Sequence, residues 1–267
     1  MCLIIFAYDC HPKYRLVVAA NRDEFYQRPT QPAAFWPEHE GLLAGRDVKE
    51  GGTWMGVTTG GRFATLTNYR DPASFNPSAR SRGHLVYNYL AGEAKPLEYI
   101  ASMISQADLF NGFNLLLGDQ ESLYCYSNRD HVLRKVESGI HGLSNSVLDD
   151  PWPKLAKGKH TLAGIMADKV LDVERLFTMM ADREQPSDEM LPQTGVSLEM
   201  ERVLAPAFVI SPQYGTRTTT VLLIDRAGQV QFRERSFAVG QTDKWNEVHY
   251  EFETDYRGQS PKITRQD

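Results

Sequence analysis

The residue with the clearest potential for covalent chemistry is Cys2, one position from the start of this 267-residue chain. The apolar run Leu3-Ile4-Ile5-Phe6 follows it and predicts a buried strand. If Met1 is removed, Cys2 carries a thiol nucleophile and a free α-amine that can accept the proton of the thiol. The alternative is that Cys2 packs in the core, because cysteine is among the most frequently buried residues.

A second predicted strand, over residues 16–20, leads directly into the polar run Asn21-Arg22-Asp23-Glu24. Arg22 is the first candidate for a cation that lowers the pKa of the thiol. Because neighbours on a regular strand point to opposite faces, Arg22 and Asp23 can enter one pocket only if a turn begins at Asn21. The alternative is that Asn21 and Asp23 brace turns while Arg22 and Glu24 form ion pairs. The residues alone leave both interpretations open.

Net charge and residue content exclude several classes of partner and site. A net charge of −5 provides no basic surface for nucleic acid. The three cysteines form no Cys-x-x-Cys motif and the seven histidines show no metal-binding spacing, so we expect neither a disulfide framework nor a metal site. The N-terminal apolar run is much shorter than the about 20 residues that span a bilayer. We therefore expect a cytoplasmic protein without a transmembrane segment.

The predicted elements alternate between groups of strands and groups of helices. Gly60-Gly61 separates two strand-like runs and predicts a hairpin, whereas the proline-rich residues 28–37 predict a loop. Helices are predicted over residues 82–91, 97–104 and 153–182, and strands over 113–117, 123–126, 131–133, 139–144, 219–224, 230–232 and 248–252. The short polar turns between the strands favour antiparallel pairing, because parallel crossovers are longer.

This order of elements predicts an α+β fold, a four-layer αββα sandwich in which two antiparallel sheets lie face to face with helices on the outsides. We find no repeat and no linker, and we expect one domain over residues 1–267. Residues 183–206 are predicted to form a long loop or lid with a short helix. The tail from about residue 255 is polar and predicted to be frayed.

The glycine pair Gly51-Gly52 precedes Thr53-Trp54. The sequence lacks the Gly-Lys-Ser/Thr of a phosphate-binding loop and opens a strand, so a P-loop is excluded. We expect the glycines to permit a positive φ or a close approach of two backbones. Trp54 is predicted either to line a cavity or to pack in the core.

Eight short motifs resemble, in the same order, the successive motifs of the NRDE family, also called the transport and Golgi organisation protein 2 family. They extend from residue 1 to about residue 224: Met1-Cys2-Leu3-Ile4, Asn21-Arg22-Asp23-Glu24, Gly51-Gly52-Thr53-Trp54-Met55-Gly56, Thr67-Asn68-Tyr69-Arg70, Ser81-Arg82-Gly83, Gly112-Phe113-Asn114-Leu115, His141-Gly142-Leu143-Ser144-Asn145 and Tyr214-Gly215-Thr216-Arg217-Thr218-Thr219-Thr220. No single motif is decisive, but eight in family order are highly specific. The resemblance implies the αββα fold of the N-terminal nucleophile hydrolases.

Within that superfamily the chain is similar to the bile-salt hydrolases and penicillin V acylases. Their plan implies a catalytic set here of Cys2, Arg22, Asp23, Asn68, Asn145 and Arg217. Cys2 would attack an amide carbonyl, Asp23 would orient its amine and Arg22 would lower the pKa of the thiol. Asn68 or Asn145 would donate to the oxyanion, and Arg217 would stabilise the site electrostatically. The sequence departs from the plan because Arg22 and Asp23 are adjacent here, whereas the acylases separate them.

The family itself is associated with haem, since its members are described as haem-binding, haem-mobilising proteins. The resemblance implies haem, or another small amphipathic ligand, as cargo, with haem donor or acceptor proteins as partners. Candidate contacts are Trp54 and Tyr69 for stacking, Arg70 for a propionate and His141 as a ligand. The alternative roles are core packing for the two aromatic residues, a surface charge for Arg70 and hydrogen bonding within a strand for His141. Two hypotheses therefore stand: a haem carrier, and a C–N amidohydrolase that acts through Cys2 and needs no cofactor.

Overall fold

The computed structural model describes residues 2–254 and 263–266. The first sheet of this described part has seven antiparallel strands in the order β10-β1-β2-β11-β12-β13-β14. Their bounds are β1 Cys2–Tyr8, β2 Tyr14–Phe25, β10 Gly139–Leu143, β11 Tyr214–Asp225, β12 Gln229–Phe237, β13 Trp245–Glu253 and β14 Ile263–Gln266. The two longest strands, β2 and β11, lie beside each other at the centre of this sheet.

The second sheet also has seven strands in the described part, in the sequential order β3-β4-β5-β6-β7-β8-β9. Their bounds are β3 Thr30–Trp36, β4 His39–Asp47, β5 Met55–Thr58, β6 Phe63–Asn68, β7 Phe113–Gly118, β8 Leu123–Ser127 and β9 Leu133–Lys135. All neighbours pair antiparallel. The short turns in the sequence thus predicted the correct pairing.

Helices cover the outer face of each sheet. Their bounds are α1 Gly83–Ala91, α2 Pro96–Ile104, α3 Pro153–Ile165, α4 Val173–Met180 and α5 Leu198–Leu204, with short 3₁₀ helices at Pro72–Ser74, Ala107–Leu109 and Asp188–Met190. Among the described residues, no helix has both the length and the apolar character that crossing a bilayer requires.

Three apolar clusters separate the four layers. Along β1, alternate residues such as Ile4 and Phe6 point into the cluster between the sheets, whereas Leu3 and Ile5 pack against α3 and α4. A third cluster packs α1 and α2 on the second sheet. The period-two alternation of a strand thus buries both faces of β1, and the predicted four-layer αββα sandwich is confirmed.

Two predictions about local structure were wrong. Residues 28–37 are not a plain loop, because β3 forms an edge strand there. A register shift between Gln31 and Ala34 accommodates Pro32, as is usual for proline in a sheet. In the predicted frayed tail, residues 263–266 form β14 against β13. Residues 255–262, also part of that tail, lie outside the described residues.

Candidate functional site

Cys2 begins β1 and lies directly opposite Arg22 of β2 in the antiparallel register. The side chain points between the two sheets, as the alternation along β1 requires. Cys2 is 8% exposed, and it lines a cavity of about 540 Å³. Burial raises the pKa of the Cys2 thiol, an effect that Arg22 opposes. The thiol is therefore buried but reachable from the cavity, and it needs a base to become a thiolate.

The Cys2 cavity lies where the ends of the two sheets meet. The first sheet contributes Cys2, Arg22 and Asp23, and the second contributes Leu66 and Asn68. Further lining residues come from loops and from the start of α1: Arg28, Lys49, Glu50, Thr53, Trp54, Phe75, Arg80, Arg82 and Gly83. The wall therefore combines charged groups with aromatic rings.

Arg22 and Asp23 both line this cavity, although β2 continues as a strand to Phe25 and no turn begins at Asn21. Arg22 pairs with Thr218 and Asp23 with Thr216, so Arg217 is an extra residue in β11 between these two pairs. A bulge of this kind increases the local twist and re-aims nearby side chains. The prediction that a turn must begin at Asn21 was wrong. The bulge at Arg217, in the neighbouring strand, is present instead.

Asp23 is 2% exposed and belongs to a buried polar cluster beside Cys2. The Thr216 hydroxyl donates to its Oδ1 at 2.7 Å, and the Tyr214 hydroxyl donates to its backbone oxygen at 2.9 Å. Burial raises the pKa of Asp23, whereas Lys154 and Thr216 act in the opposite direction. Burial also lowers the pKa of Lys154 to about 8, and Asp23 opposes that shift. Asp23 and Lys154 therefore stabilise each other's charged forms.

The two asparagines of the predicted catalytic set are neighbours. Asn145 Nδ2 donates to the backbone oxygen of Asn68 at 2.8 Å, and the backbone N–H of Arg70 donates to the backbone oxygen of Asn145 at 2.7 Å. Asn68 lines the Cys2 cavity, and its side chain has no hydrogen-bond partner among the described residues. Asn145 instead lines a second cavity. Of the two asparagines, Asn68 therefore lies in the wall of the Cys2 cavity and Asn145 does not line it.

Arg217 does not line the Cys2 cavity. Its Nη1 donates to the backbone oxygens of Phe25, Tyr26 and Arg28, each at 3.1 Å. Phe25 and Arg28 are themselves part of the cavity wall. Arg217 therefore holds the turn that forms the rim of the site, and it acts on the cavity through that turn.

The four residues predicted as haem contacts lie in three places. Trp54 lines the Cys2 cavity, with the Arg22 guanidinium 4.2 Å from the centre of its ring. Tyr69 and Arg70 line the second cavity. His141 hydrogen-bonds the Asp149 carboxylate at 2.7 Å and a backbone oxygen at 3.0 Å. Because both partners are acceptors, this geometry favours the protonated imidazole, and Asp149 raises the pKa of His141.

Three residues of the site were not predicted. Lys154 and Tyr214 lie beside Asp23, and Arg82 lines the cavity near Cys2. Arg82 and Tyr214 stand in two of the sequence motifs, which was the available signal. Lys154 gave none, because a lysine at the start of a helix is ordinarily exposed. In the described part of the chain, no cluster of three or more histidine, cysteine or acidic residues is suited to a metal ion.

The fold is similar to that of proteins with known structures. A conjugated bile acid hydrolase from Clostridium perfringens, solved as a C2A mutant, superposes with a TM-score of 0.50 at 7% identity and covers 100% of this chain and 97% of that chain. An N-acylethanolamine-hydrolyzing acid amidase orthologue from Caenorhabditis elegans gives a TM-score of 0.48 at 10% identity, over 83% of this chain and 92% of that chain. The bile acid hydrolase supports the N-terminal nucleophile hydrolase fold alone.

The sequence relatives are more similar. The Transport and Golgi organization protein 2 homologues of Bos taurus and Homo sapiens are each 36% identical, over 94% of this chain and 99% of their own length. The Drosophila melanogaster Transport and Golgi organization protein 2 is 28% identical, over 94% of this chain and 98% of its own. A sequence model of the family described as Transport and Golgi organisation 2 matches residues 1–239. The chain therefore belongs to the Transport and Golgi organisation 2 family.

Proposed function

We propose that this protein is a C–N amidohydrolase that uses Cys2 as an N-terminal nucleophile. The observation that carries the proposal is the shared cavity: Cys2, Arg22, Asp23 and Asn68 line the same space of about 540 Å³. A nucleophile, a cation, a carboxylate and an amide donor in one pocket are the groups that acyl transfer requires. The similar fold of the bile acid hydrolase is compatible with this chemistry and does not by itself argue for it.

The proposed reaction begins with removal of Met1, which frees the α-amine of Cys2. That amine takes the thiol proton, and the thiolate attacks the amide carbon. Asn68 donates to the oxyanion that forms. The C–N bond then breaks, the amine leaves with the proton, and a thioester to Cys2 remains. Water hydrolyses the thioester, releases the carboxylic acid and restores the thiol.

Two residues support the nucleophile without reacting themselves. Arg22, opposite Cys2 in the register, favours the thiolate. Asp23 orients the α-amine, while Thr216 and Tyr214 hold Asp23 through its side chain and its backbone. Burial raises the thiol pKa, so a base next to the sulfur is essential near neutral pH.

The proposal predicts that only protein without Met1 hydrolyses amides. Intact mass separates the two forms, and each is assayed against a panel of N-acyl aminocoumarin amides. Cys2→Ala should abolish turnover, Asn68→Ala should lower kcat by about 10²–10³, and acylated wild type should carry one acyl group on Cys2. Cys10→Ala is the matched control, since Cys10 is free and exposed. Equal turnover by protein that fully retains Met1 would exclude the proposal.

A second candidate function is a carrier of haem as cargo. The observation that favours it is the wall of the Cys2 cavity, which contains Trp54 together with the cationic residues Lys49, Arg80 and Arg82. An indole can stack on a porphyrin, and cations can pair with propionates. The cavity lining contains no histidine among the described residues, so the proposed binding relies on stacking and charge.

Haem titration tests this second candidate. Purified protein should give a saturable Soret shift at micromolar haemin, and Trp54→Ala should weaken binding by about tenfold if stacking contributes about 1.4 kcal/mol. Trp245→Ala is the control, because Trp245 is outside the cavity lining and 42% exposed. A titration without saturation, or equal binding by both variants and wild type, would contradict it.

A further inference from the structure

Arg82 is positioned by an unusually close contact between two backbones. It immediately precedes α1, where Gly83 lies against Gly52: a Cβ added to Gly52 would be 2.6 Å from the carbonyl carbon of Gly83. The backbone N–H of Thr53 donates to the backbone oxygen of Gly83 at 3.3 Å. Because the two glycines allow this contact, the start of α1 becomes part of the cavity wall, and Arg82 enters the lining.

The guanidinium of Arg82 is half-buried and only partly satisfied. Its Nη1 donates to the backbone oxygen of Gly112 at 2.9 Å. Within residues 2–254 and 263–266, its other nitrogens have no hydrogen-bond partner and no carboxylate lies within 4.0 Å. Burial lowers the pKa of Arg82, and the nearby Cys2 opposes that shift. Glu24 of the same wall also opposes the shift, although it forms no ion pair with Arg82. A partly desolvated guanidinium with free N–H donors favours an anion that can pair with it.

The other three arginines of the cavity wall are already engaged, since the exposed Arg80 donates to Gln106 Oε1 at 3.2 Å and the other two have closer partners. Arg22 donates to the Thr30 hydroxyl at 3.1 Å and stacks on Trp54. Arg28 forms a 2.6 Å ion pair with Asp47. Among the arginines of this cavity wall, Arg82 is therefore the one with the most capacity left for an incoming anion, and it is less exposed than Lys49 of the same wall.

Two exposed aromatic side chains lie in the wall of the same cavity. Phe25 and Phe75 line it and are 58% and 64% exposed. Phe25 packs edge-on against the Tyr214 ring, with 5.2 Å between the ring centres, and aromatic rings in a cavity wall provide contact area for the apolar part of a ligand. The cavity thus offers an aromatic rim to the apolar part of a ligand and a guanidinium deeper inside to its anionic part.

We propose that Arg82 is the anion-binding residue of this cavity and that the ligand is an amphipathic carboxylate whose apolar body contacts Phe25 and Phe75. As a statement about substrate, this rests on the proposed amidohydrolase function and names an amide with a carboxylate near its scissile bond. As a statement about binding, it stands without any reaction. The planar guanidinium suits a bidentate carboxylate.

A probe that cannot be hydrolysed tests the statement about binding separately from the statement about substrate. Dansylglycine contains a carboxylate and a sulfonamide in place of an amide, and N-isobutyl dansylamide is its uncharged counterpart, of nearly the same shape and without a carbonyl group. In a fluorescence titration, wild type should bind dansylglycine at least about tenfold more tightly than the uncharged probe, as expected for a charge-assisted hydrogen bond. Arg82→Gln should remove that preference, and Arg82→Lys should retain part of it. Arg226→Gln, an exposed arginine paired with Asp9, is the control.

The ratio of the two probes keeps the test valid if a variant is destabilised, because both probes report on the same protein. Equal binding of both probes to wild type, or an unchanged ratio in Arg82→Gln, would overturn the inference. If Cys2→Ala keeps the affinity ratio of the two probes but no longer hydrolyses amides, both proposals are supported. A preserved ratio without any turnover in wild type supports the anion site and rejects the amidohydrolase. Haemin and its propionate dimethyl ester are compared in the same way. If methylation abolishes binding to wild type but makes no difference to binding by Arg82→Gln, haem is identified as the source of the carboxylate.

Discussion

Glu234 shows how strongly burial controls a single carboxyl group in this protein. It lies on β12 and is 1% exposed. Its Oε1 accepts from the backbone N–H of Ala33 at 2.8 Å, and its Oε2 accepts from the Thr220 hydroxyl at 3.0 Å. Burial raises the pKa of Glu234 from 4.5 to about 7, against the opposing effect of these two donors and of Arg22. Glu234 thus joins the two sheets, because Ala33 lies in the second sheet.

This shift predicts a pH-dependent stability that Glu234→Gln removes. The folded state holds the proton more tightly than the unfolded state, so the stability contributed by this group is fully present below pH 4.5 and is lost as the pH rises to about 7. At about 1.4 kcal/mol per pH unit, the loss is about 3 kcal/mol. Relative to wild type, Glu234→Gln should gain about that amount between pH 4.5 and 7, measured by urea unfolding at several pH values.

Glu121→Gln is the matched control for Glu234→Gln, because Glu121 is exposed in a turn. Its stability difference from wild type should not change over the same pH range. If the two variants show the same pH dependence, the raised pKa of Glu234 is not the cause.

At the scale of elements, the contact between the loop before β5 and the start of α1 determines the shape of the cavity wall. Gly51 has φ +77, a conformation that favours glycine, and Gly52 makes the close approach to Gly83 described above. The two roles expected of these glycines are both confirmed. A buried ion pair joins another helix to a sheet: Arg70 and Glu201, 2.6 Å apart, attach α5 to the end of β6.

Gly52→Ala should destabilise the protein by about 1–3 kcal/mol, because the new methyl group would overlap backbone atoms that cannot move independently. The variant should also weaken ligand binding in the Cys2 cavity by displacing Arg82. Chemical unfolding measures the first effect, and the dansylglycine titration measures the second.

Gly164→Ala provides the opposite case. Gly164 lies in α3, and a Cβ there would meet nothing within 4 Å. Because alanine is the better helix former, we expect a gain of about 0.5–1 kcal/mol and unchanged ligand binding. If Gly52→Ala and Gly164→Ala changed stability and ligand binding equally, the close contact between Gly52 and Gly83 would not be needed for the native structure.

At the scale of the whole molecule, the site exists only because two sheets stack. Cys2 and Arg22 come from the first sheet, and Asn68 comes from the second. The first sheet itself combines strands from both ends of the chain, since β2 lies beside β11. The expected single domain over residues 1–267 and the expected cytoplasmic location stay predictions.

Much of this architecture could be predicted from local patterns. Alternating apolar residues, short polar turns and two amphipathic helical blocks are sufficient for an αββα sandwich, because each pattern states which face must be buried. The edge strand β3 was missed because proline and polar residues hide a strand whose pairing is irregular. β14 was missed because its pairing partner, β13, supplies the structure that its own residues do not encode.

The linear order of residues is enough to indicate the family and to supply the residue types of the site, including a cysteine at the second position and the motifs that hold Arg22, Asp23, Asn68 and Arg82. Which of these residues meet depends on how the chain folds in three dimensions. The fold brought Lys154 and Tyr214 to Asp23, placed Arg217 behind the rim, and separated Tyr69, Arg70 and His141 from Trp54. The physical reason is that sequence periodicity fixes the face on which a side chain lies, whereas register, bulges and sheet stacking fix its neighbours.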